Sequence, residues 1–541
     1  RTCPANLRNG LRNRHMAVYT LPQTIPGSKR WACFSVKRSF VPGRARVEGV
    51  RRSSSTLSRD SHIISPTLMS VAEKTSAGVN KETIGELAAA AQVWAAQNGL
   101  LMGVGGDAPP SHLVHAPVTL LPSPLPKAAY QQALDLAEIC NSLVDGIASD
   151  EDYLRATLKE VCASDEFTGR LMQIFEQTRA EAARSDYALG VLRSDYMLDQ
   201  PSGGMLQVEL NTIASSFGCL STQVARMHRH LVDGADLQDT YPPESLPENS
   251  AMEGISEGLA AAVRVPPGGE EGAMLMVVQP GERNAFDQHW LQTKLWENHR
   301  VRTIRKSLAE VAAQGVLGPD GSLHIDKKRV TLVYFRAGYT PNDYPSETEW
   351  EGRLLLEKSD TVKCPNIAYH LTGTKKVQQD LARPGVLERF LSDPVEVAAM
   401  RKCFAGLWGL AIGVDEGVEE AVAMALADPE AFVLKPQREG GGNNLYGAEM
   451  CERLQSLEGL EAYILMQRIV PPEQSAVMMR DGKVATVPTL SELGIYSTFL
   501  RKDKDVLISR SCGHLLRTKA SNSNEGGVAA GFSVLDSPWL V

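Results

Sequence analysis

Residues Phe432–Tyr446 read FVLKPQREGGGNNLY, which puts a lysine, a carboxylate and three glycines in close succession. Glycine lets backbone N–H groups approach a polyphosphate with no Cβ in the way. Lys435 adds a point charge for phosphate. Glu439 adds a hard oxygen donor for the cation that accompanies one. Gly440, Gly441 and Gly442 lie between two apolar runs, which predicts a hairpin tip folded over a nucleotide. A P-loop differs, because there the glycines open a helix and Lys-Ser/Thr follows. The bland alternative, an ordinary glycine-rich turn, needs neither charge.

Met205–Asn211 reads MLQVELN. On a strand, alternate side chains share a face, so Leu206, Val208 and Leu210 face the core while Gln207, Glu209 and Asn211 line up opposite. A carboxylate and an amide oxygen two residues apart suit a hard cation such as Mg²⁺, and a half-exposed strand would show the same pattern. Arg193, Arg336 and Arg517 sit in polar or aromatic settings, and arginine forks grip carboxylates bidentately. Lys375 and Lys519 join Lys435 as candidates for phosphate, whereas Lys376 reads equally well as a solvated helix residue. Asn524–Gly531 (NEGGVAAG) is a small-residue loop, either a tight turn or a wall closing on a very small substrate.

The elements that must position these groups begin near residue 71. Lys81–Ala96 is an alanine-rich helix, and Pro117–Leu125 a short strand and loop. Ala128–Ala182 forms two or three helices with Ser149 and Asp150 as N-caps. Asp195–Asn211 contains a turn and a strand. His228–Gly269, with YPPESLPENS and PPGGEEG, reads as a linker or surface excursion. Met274–Gln279 is a buried strand, a helix starts at Asn284 or Asp287, and Val330–Phe335 is another strand. That alternation predicts a small α/β unit over 272–377. Asp393-Pro394 opens a helix expected to run to Leu410. The rest, from Phe432, alternates strands, glycine loops and short helices.

The 541 residues suffice for three or four domains by length. A net charge of −8 argues against a general nucleic-acid binder, and no apolar run approaches the roughly 18 residues a membrane span needs. Nine scattered cysteines without a CxxC pair predict reduced thiols rather than a disulfide framework or zinc site. Residues 1–70 carry 13 Lys and Arg against Glu48 and Asp60. Such a basic, Ser/Arg-rich stretch reads as a transit peptide, which implies chloroplast or mitochondrion. It reads also as plain disorder or translation upstream of Met16 or Met69, which leaves a cytoplasmic protein. Either way it stands outside the fold.

Eight strings in one order carry a resemblance from about residue 72 to the C-terminus: RSDYM, QVELNTIASSFG, ERNAFDQ, YFRAGY, VKCPNIAYHLTGTKKVQQ, FVLKPQREGGGNNLYG, SELGIYS and GHLLRTK followed by GGVAAG. Together they resemble eukaryotic glutathione synthetase. The resemblance implies an α/β (α+β) ATP-grasp fold that works as a homodimer. Its catalytic part would span 71–271 and 378–541, with a glycine-rich lid about 408–490 and an inserted α/β substrate-binding domain at 272–377. It implies that ATP, with Mg²⁺, drives the joining of γ-glutamylcysteine to glycine.

By motif, Glu209, Asn211 and Glu439 would hold magnesium. Lys375, Lys435, Gln437, Gly440, Gly441, Gly442, Asn443, Asn444, Tyr446, Lys519 and Glu525 would bind ATP along with Glu209, while Met466 and Ile469 flank the adenine beside Glu492. Arg193, Ser216, Glu282, Asn284, Gln288, Arg336, Tyr339, Arg517, Val528 and Ala529 would bind the peptide and glycine. Arg193, Glu209, Lys435 and Arg517 would serve catalysis directly. Glu525 stands where animal members carry Asp, and Ala214, standing for Ser, donates no hydroxyl. Gln467 and Arg468 also depart from the animal adenine strand.

A carboxylate does not acylate an amine at neutral pH; the resemblance implies that ATP first turns it into an acyl phosphate, with a lid to exclude water. The edges of that lid would be Gly440–Asn444 and Gly526–Ala530. Three rival readings remain. A synthetase using β-alanine or another small amino acid is disfavoured by Ala529-Ala530. A kinase would be expected to carry HRD and DFG or Walker A strings, absent here. A non-catalytic ATP binder would be expected to lose some of Glu209, Glu439, Lys375, Lys435 and Lys519, yet all are present.

Overall fold

A computed structural model describes residues 79–541 except 106, 107, 110 and 180–186; the basic stretch 1–70 lies outside the described residues. The centre is a seven-stranded, largely antiparallel sheet. Its order is Gln474–Arg480, Val118–Thr119, Ser533–Asp536, Asp505–Ala520, Lys483–Lys502, Tyr187–Asp199, Gly204–Asn211. One hairpin, Tyr187–Asp199 with Gly204–Asn211, turns through Gly203 at φ 66°, a left-handed conformation that glycine adopts without strain. The helix Lys127–Ser149 packs on this sheet through Leu136, Leu143, Val144 and Ile147, all buried. Asp150, not Ser149, caps the next helix, Glu151–Ser164, by accepting from Tyr153 N at 3.0 Å; Ser149 ends the helix before it.

A second sheet has a parallel centre, Arg302–Lys306, Ala273–Val277, Lys328–Phe335 and Val362–Cys364, with Leu323–Ile325 and Val316–Leu317 antiparallel at one edge. Parallel strands covered on both faces read as unbroken apolar runs, as AMLMV at Ala273–Val277 does. Met274, Leu275, Met276 and Val277 have no exposed surface; burying each such side chain contributes about 1.5–3 kcal/mol. The two main apolar cores each draw residues from both sheets. Helix Lys375–Leu381 runs across the boundary expected at 377.

A three-stranded antiparallel sheet, Leu407–Gly409, Tyr463–Gln467 and Phe432–Pro436, carries helices Val418–Ala427 and Gly447–Ser456 over a small core of its own. Strand Gln474–Arg480 already belongs to the central sheet, so the segment expected to reach 490 ends its own sheet at Gln467. Two other expectations change. The stretch taken for a linker contains the end of helix Gly218–Gly234 and all of Ala251–Arg264, whose Ala251, Met252 and Leu259 have no exposed surface; the proline- and glycine-rich strings are only its flanks. The helix opened by Asp393, which accepts from Val395 N, stops at Cys403, and Leu407–Gly409 is a strand.

Candidate active site

Four neighbouring strands of the central sheet present their polar positions on one side. The register sets Arg517 opposite Glu492, Gly494 opposite Asp195, Asp195 opposite Glu209, and Arg193 opposite Asn211. The three-stranded sheet stands across from them, and a cleft runs between. A register shift between Asp195 and Tyr196 leaves Val208 unpaired, so the strict alternation expected for MLQVELN breaks there. Val208 lines the cleft instead of joining the core, and its carbonyl accepts from Lys435 Nζ at 3.0 Å.

The charges converge on Lys375. Its buried ammonium lies 3.1 Å from Glu209 Oε2 and 3.0 Å from Glu439 Oε1. Burial opposes charge on Glu209, but Lys375, Lys435, Arg517 and Arg193 outweigh it and hold this carboxyl well below its ordinary range. Burial raises Glu439, Lys375 draws it back, and the charge of Glu209 adds to the rise. Lys435 is pushed down by burial, with the charge of Lys375 adding to the fall against the pull of Glu209. An ammonium held between two carboxylates shows that this spot attracts positive charge. Asn211 donates through Nδ2 to Arg193 O (3.2 Å) and Asp195 Oδ2 (3.0 Å), which leaves its amide oxygen as an acceptor. Two carboxylates and one amide oxygen suit Mg²⁺, which takes oxygen ligands and leaves places for water and phosphate. Among the described residues no three His, Cys, Asp or Glu side chains gather into a closed metal site.

One wall of the cleft is apolar. Val433 pairs with Met466 across the small sheet, and Leu206, Ala405 and Ile469 pack with them. The polyglycine segment is not the two-stranded hairpin expected. Leu434 and Leu445 form a single bridge, and helix Gly447–Ser456 follows at once. Gly440 (φ 86°) and Gly442 (φ 92°) hold left-handed conformations that a side chain would strain. The loop meets the second small-residue loop: Gly442 N donates to Glu525 Oε2 at 2.7 Å, and a Cβ on Gly441 would overlap the carbonyl oxygen of Gly526. Lys519 Nζ donates to Asn524 O at 2.6 Å. Its pKa is lowered, chiefly by burial.

Of the residues singled out from sequence, Arg193, Glu209, Asn211, Ser216, Tyr339, Lys375, Lys435, Glu439, Gly440, Gly441, Asn444, Tyr446, Met466, Ile469, Glu492, Arg517, Lys519, Glu525, Val528 and Ala529 line this one cleft. Gln437, Gly442 and Asn443 do not. Gln437 turns inward to accept from Lys376 N, and Asn443 Nδ2 bonds within its own loop to Gly440 O. Lys376 is no solvated residue but a buried one, paired with Asp415 at 2.6 Å.

Glu282, Asn284, Gln288 and Arg336 form a group just behind the lining, joined to it by the 2.9 Å bond from Arg336 Nη2 to Ser216 Oγ. Asn284 precedes helix Ala285–His299 without capping it, and its buried Oδ1 and Arg336 Nε have no partner. Asp287, suggested as a helix start, faces elsewhere. It accepts from Phe217 N and Cys219 N at the head of helix Gly218–Gly234, and from Arg336 Nη1, each at 2.9 Å. Sequence reasoning missed four contributors. Asp195 binds Arg193 and Arg517. Arg305 Nη2 donates to Gln288 Oε1 at 2.7 Å. Arg438 pairs with Asp165 at 2.6 Å. Arg468 reaches Asn524 Oδ1 at 2.8 Å. Asp195 lies inside the RSDYM string, Arg438 inside FVLKPQREGGGNNLYG, and Arg468 was named only as a departure in the adenine strand; Arg305 carried no signal.

The family model described as "Eukaryotic glutathione synthase, ATP binding domain" matches residues 81–540. The chain is 46% identical over 473 residues to a protein named "Glutathione synthetase, chloroplastic" from Solanum lycopersicum, covering 86% of this chain and 85% of that one. It is 41% identical over 471 residues to "Glutathione synthetase" from Homo sapiens, covering 85% and 98%. A glutathione synthetase-like effector from Globodera pallida has the same fold, with a TM-score of 0.68 at 22% identity, over 86% of this chain and 98% of that one. The ATP-grasp architecture, the order of motifs and these matches lead to one conclusion: the chain belongs to the eukaryotic glutathione synthase family of ATP-dependent ligases.

Proposed function

We propose that the chain joins γ-glutamylcysteine to glycine at the expense of ATP, in the cleft between the central and the three-stranded sheets. The observation that carries this reading is Lys375 between Glu209 and Glu439, at the edge of an apolar slot formed by Val433, Met466 and Ile469. The slot suits a purine, and Lys375, Lys435 and Lys519 suit phosphates. Glu209, Glu439 and Asn211 would hold Mg²⁺, which when bound offsets charge on the phosphates. In the first step an oxygen of the cysteinyl carboxylate bonds to the γ-phosphorus as the bond to the ADP oxygen breaks. In the second, the glycine amine adds to the carbonyl carbon, the carbon–oxygen bond to phosphate breaks, and the amine proton leaves with phosphate or water. Such transfers depend mainly on positioning and charge neutralisation. Arg193 and Arg517, both lining the cleft, would supply donors to the carboxylate and to the later oxyanion. Asn284 Oδ1 and Arg336 Nε, buried without partners, suit the charged amino-acid end of the peptide. The loops meeting at Gly441 and Gly526 serve as lid edges that keep water from the acyl phosphate.

The test is ADP release by the purified full chain with ATP, Mg²⁺ and γ-glutamylcysteine, with and without glycine. ADP formed in step with the tripeptide supports the ligase. Turnover with β-alanine at glycine's expense would change the acceptor, and ADP release that needs no amine would overturn the reading. Membership of the family supports a homodimer, which light scattering checks. The basic residues 1–70 and the chloroplastic names of relatives in Solanum lycopersicum and Arabidopsis thaliana support an organellar address. Cytosolic fluorescence from residues 1–75 fused to a fluorescent protein would remove it. No helix among the described residues is long and apolar enough to cross a membrane.

A further inference from the structure

Two cationic arms reach the same end of the cleft, and they share one fully buried anion. Asp195 accepts from Arg193 Nε at 2.7 Å and Nη2 at 2.8 Å, from Arg517 Nη2 at 2.9 Å and from Asn211 Nδ2 at 3.0 Å. Each of those donors belongs to a residue that lines the cleft. The strand opposite makes room for the arrangement: at Gly494 a Cβ would stand 2.5 Å from Asp195 Oδ1 and 2.9 Å from Arg193 Cδ. Arg193 has spent Nε and Nη2, and Nη1 makes only a 3.4 Å contact with Ser216 O. Arg517 has spent Nη2 on Asp195 and Glu492. Arg193 therefore keeps only its end-on Nη1/Nη2 edge, and Arg517, with both Nη2 hydrogens committed, keeps no complete fork.

We propose that Asp195 is a positioning residue that sets Arg193 and Arg517 as two partly occupied arms on the reacting carboxylate, a role resting on the ligase reading above. The chemistry favours this arrangement. A carboxylate gripped by two full forks would have its lone pairs occupied, yet one oxygen must attack phosphorus. Partial arms hold the group without stabilising its ground state as strongly as its transition state. The shared anion also keeps two guanidiniums side by side in a buried place where they would otherwise repel.

The test compares Asp195→Asn and Gly494→Ala with the wild-type full chain. The first removes the shared charge at nearly constant shape; the second keeps the charge and displaces the arm. Both are expected to raise the KM for γ-glutamylcysteine and to lower kcat/KM for it, by about a hundred-fold for Asp195→Asn, the cost of a misplaced reacting group. The Kd for ATP, measured by titration calorimetry with Mg²⁺, is expected to weaken by no more than about two-fold. Peptide constants within about two-fold of wild type, or equal losses for peptide and ATP, would overturn the proposal. If Asp195→Asn does not fold, Gly494→Ala decides by the same criterion. Wild-type protein that makes no glycine-dependent product would instead sink the ligase reading.

Discussion

Replacing Lys375 by Met removes the ammonium that Glu209 and Glu439 share, and two opposing effects follow. Each carboxylate oxygen lies about 3 Å from the nitrogen, so the two are at most about 6 Å apart; at an effective dielectric of about 20 they then repel by about 3 kcal/mol. Both side chains are about one-fifth exposed, so rotation toward water relieves much of that. The second effect is not relieved: on the proposed reading a charge-assisted contact to phosphate is lost, worth about 1.5–3 kcal/mol. At about 1.4 kcal/mol per decade, kcat/KM for ATP is expected to fall roughly 10- to 150-fold. The magnesium concentration giving half-maximal rate is expected to fall as well, because the carboxylates lose their tethered competitor. Lys375→Arg keeps the charge and controls for it. The assay is coupled ADP release at saturating peptide and glycine across a magnesium series. An unchanged kcat/KM for ATP, or a raised magnesium requirement, would refute the reasoning.

Gly441→Ala sets a methyl group against the Gly526 carbonyl, so the two loops must part. Tripeptide formed per ADP is expected to drop while the melting temperature holds, and an unchanged ratio would remove the lid role. Arg353 is fully buried, pairs with Glu357 at 2.9 Å and stacks 4.2 Å above Phe335. Arg353→Leu strands that carboxylate and is expected to cost about 3–5 kcal/mol in urea unfolding. His514 is fully buried and its pKa lies at about 3, chiefly through burial. The unfolded chain binds this proton below about 6.5 and the folded one does not, so the contribution of His514 is complete above that pH. Between 6.5 and 3 it is lost at about 1.4 kcal/mol per pH unit. Urea midpoints measured from pH 7 to 4 are expected to fall less steeply in His514→Gln.

Local chemistry was readable from the chain wherever one segment carries its own signal. The alanine-rich run marks the helix at Lys81, Asp393-Pro394 opens another, and AMLMV reads as a buried strand because it is a short, unbroken apolar run. The glycine-rich loop and its lysine were legible for the same reason. What escaped depends on partners far away in sequence. The extra residue at Val208 exists only through pairing with Asp195 and Tyr196. Asp195 looked like one more acid in RSDY, because its role needs strands near 195, 494 and 517 side by side. The helix Ala251–Arg264 was hidden by turn-rich strings that mark its ends. Gln437 and Asn443 belong to a binding motif, yet each side chain faces away from the cleft.

Asp287 ties the head of helix Gly218–Gly234 to Arg336, at the end of a strand in the other sheet. In mechanical terms the cleft is a vise with one fixed jaw. The Arg336 end is pinned where helix, strand and carboxylate meet with almost no exposed surface. The opposite jaw has a small core of its own and meets the body through the packing of Leu206 on Val433 and Met466 and through ion pairs such as Arg438 to Asp165 and Lys376 to Asp415. On the proposed ligase reading, substrates and products would pass beneath the glycine-rich edge, and the braced end would be the anvil against which it closes.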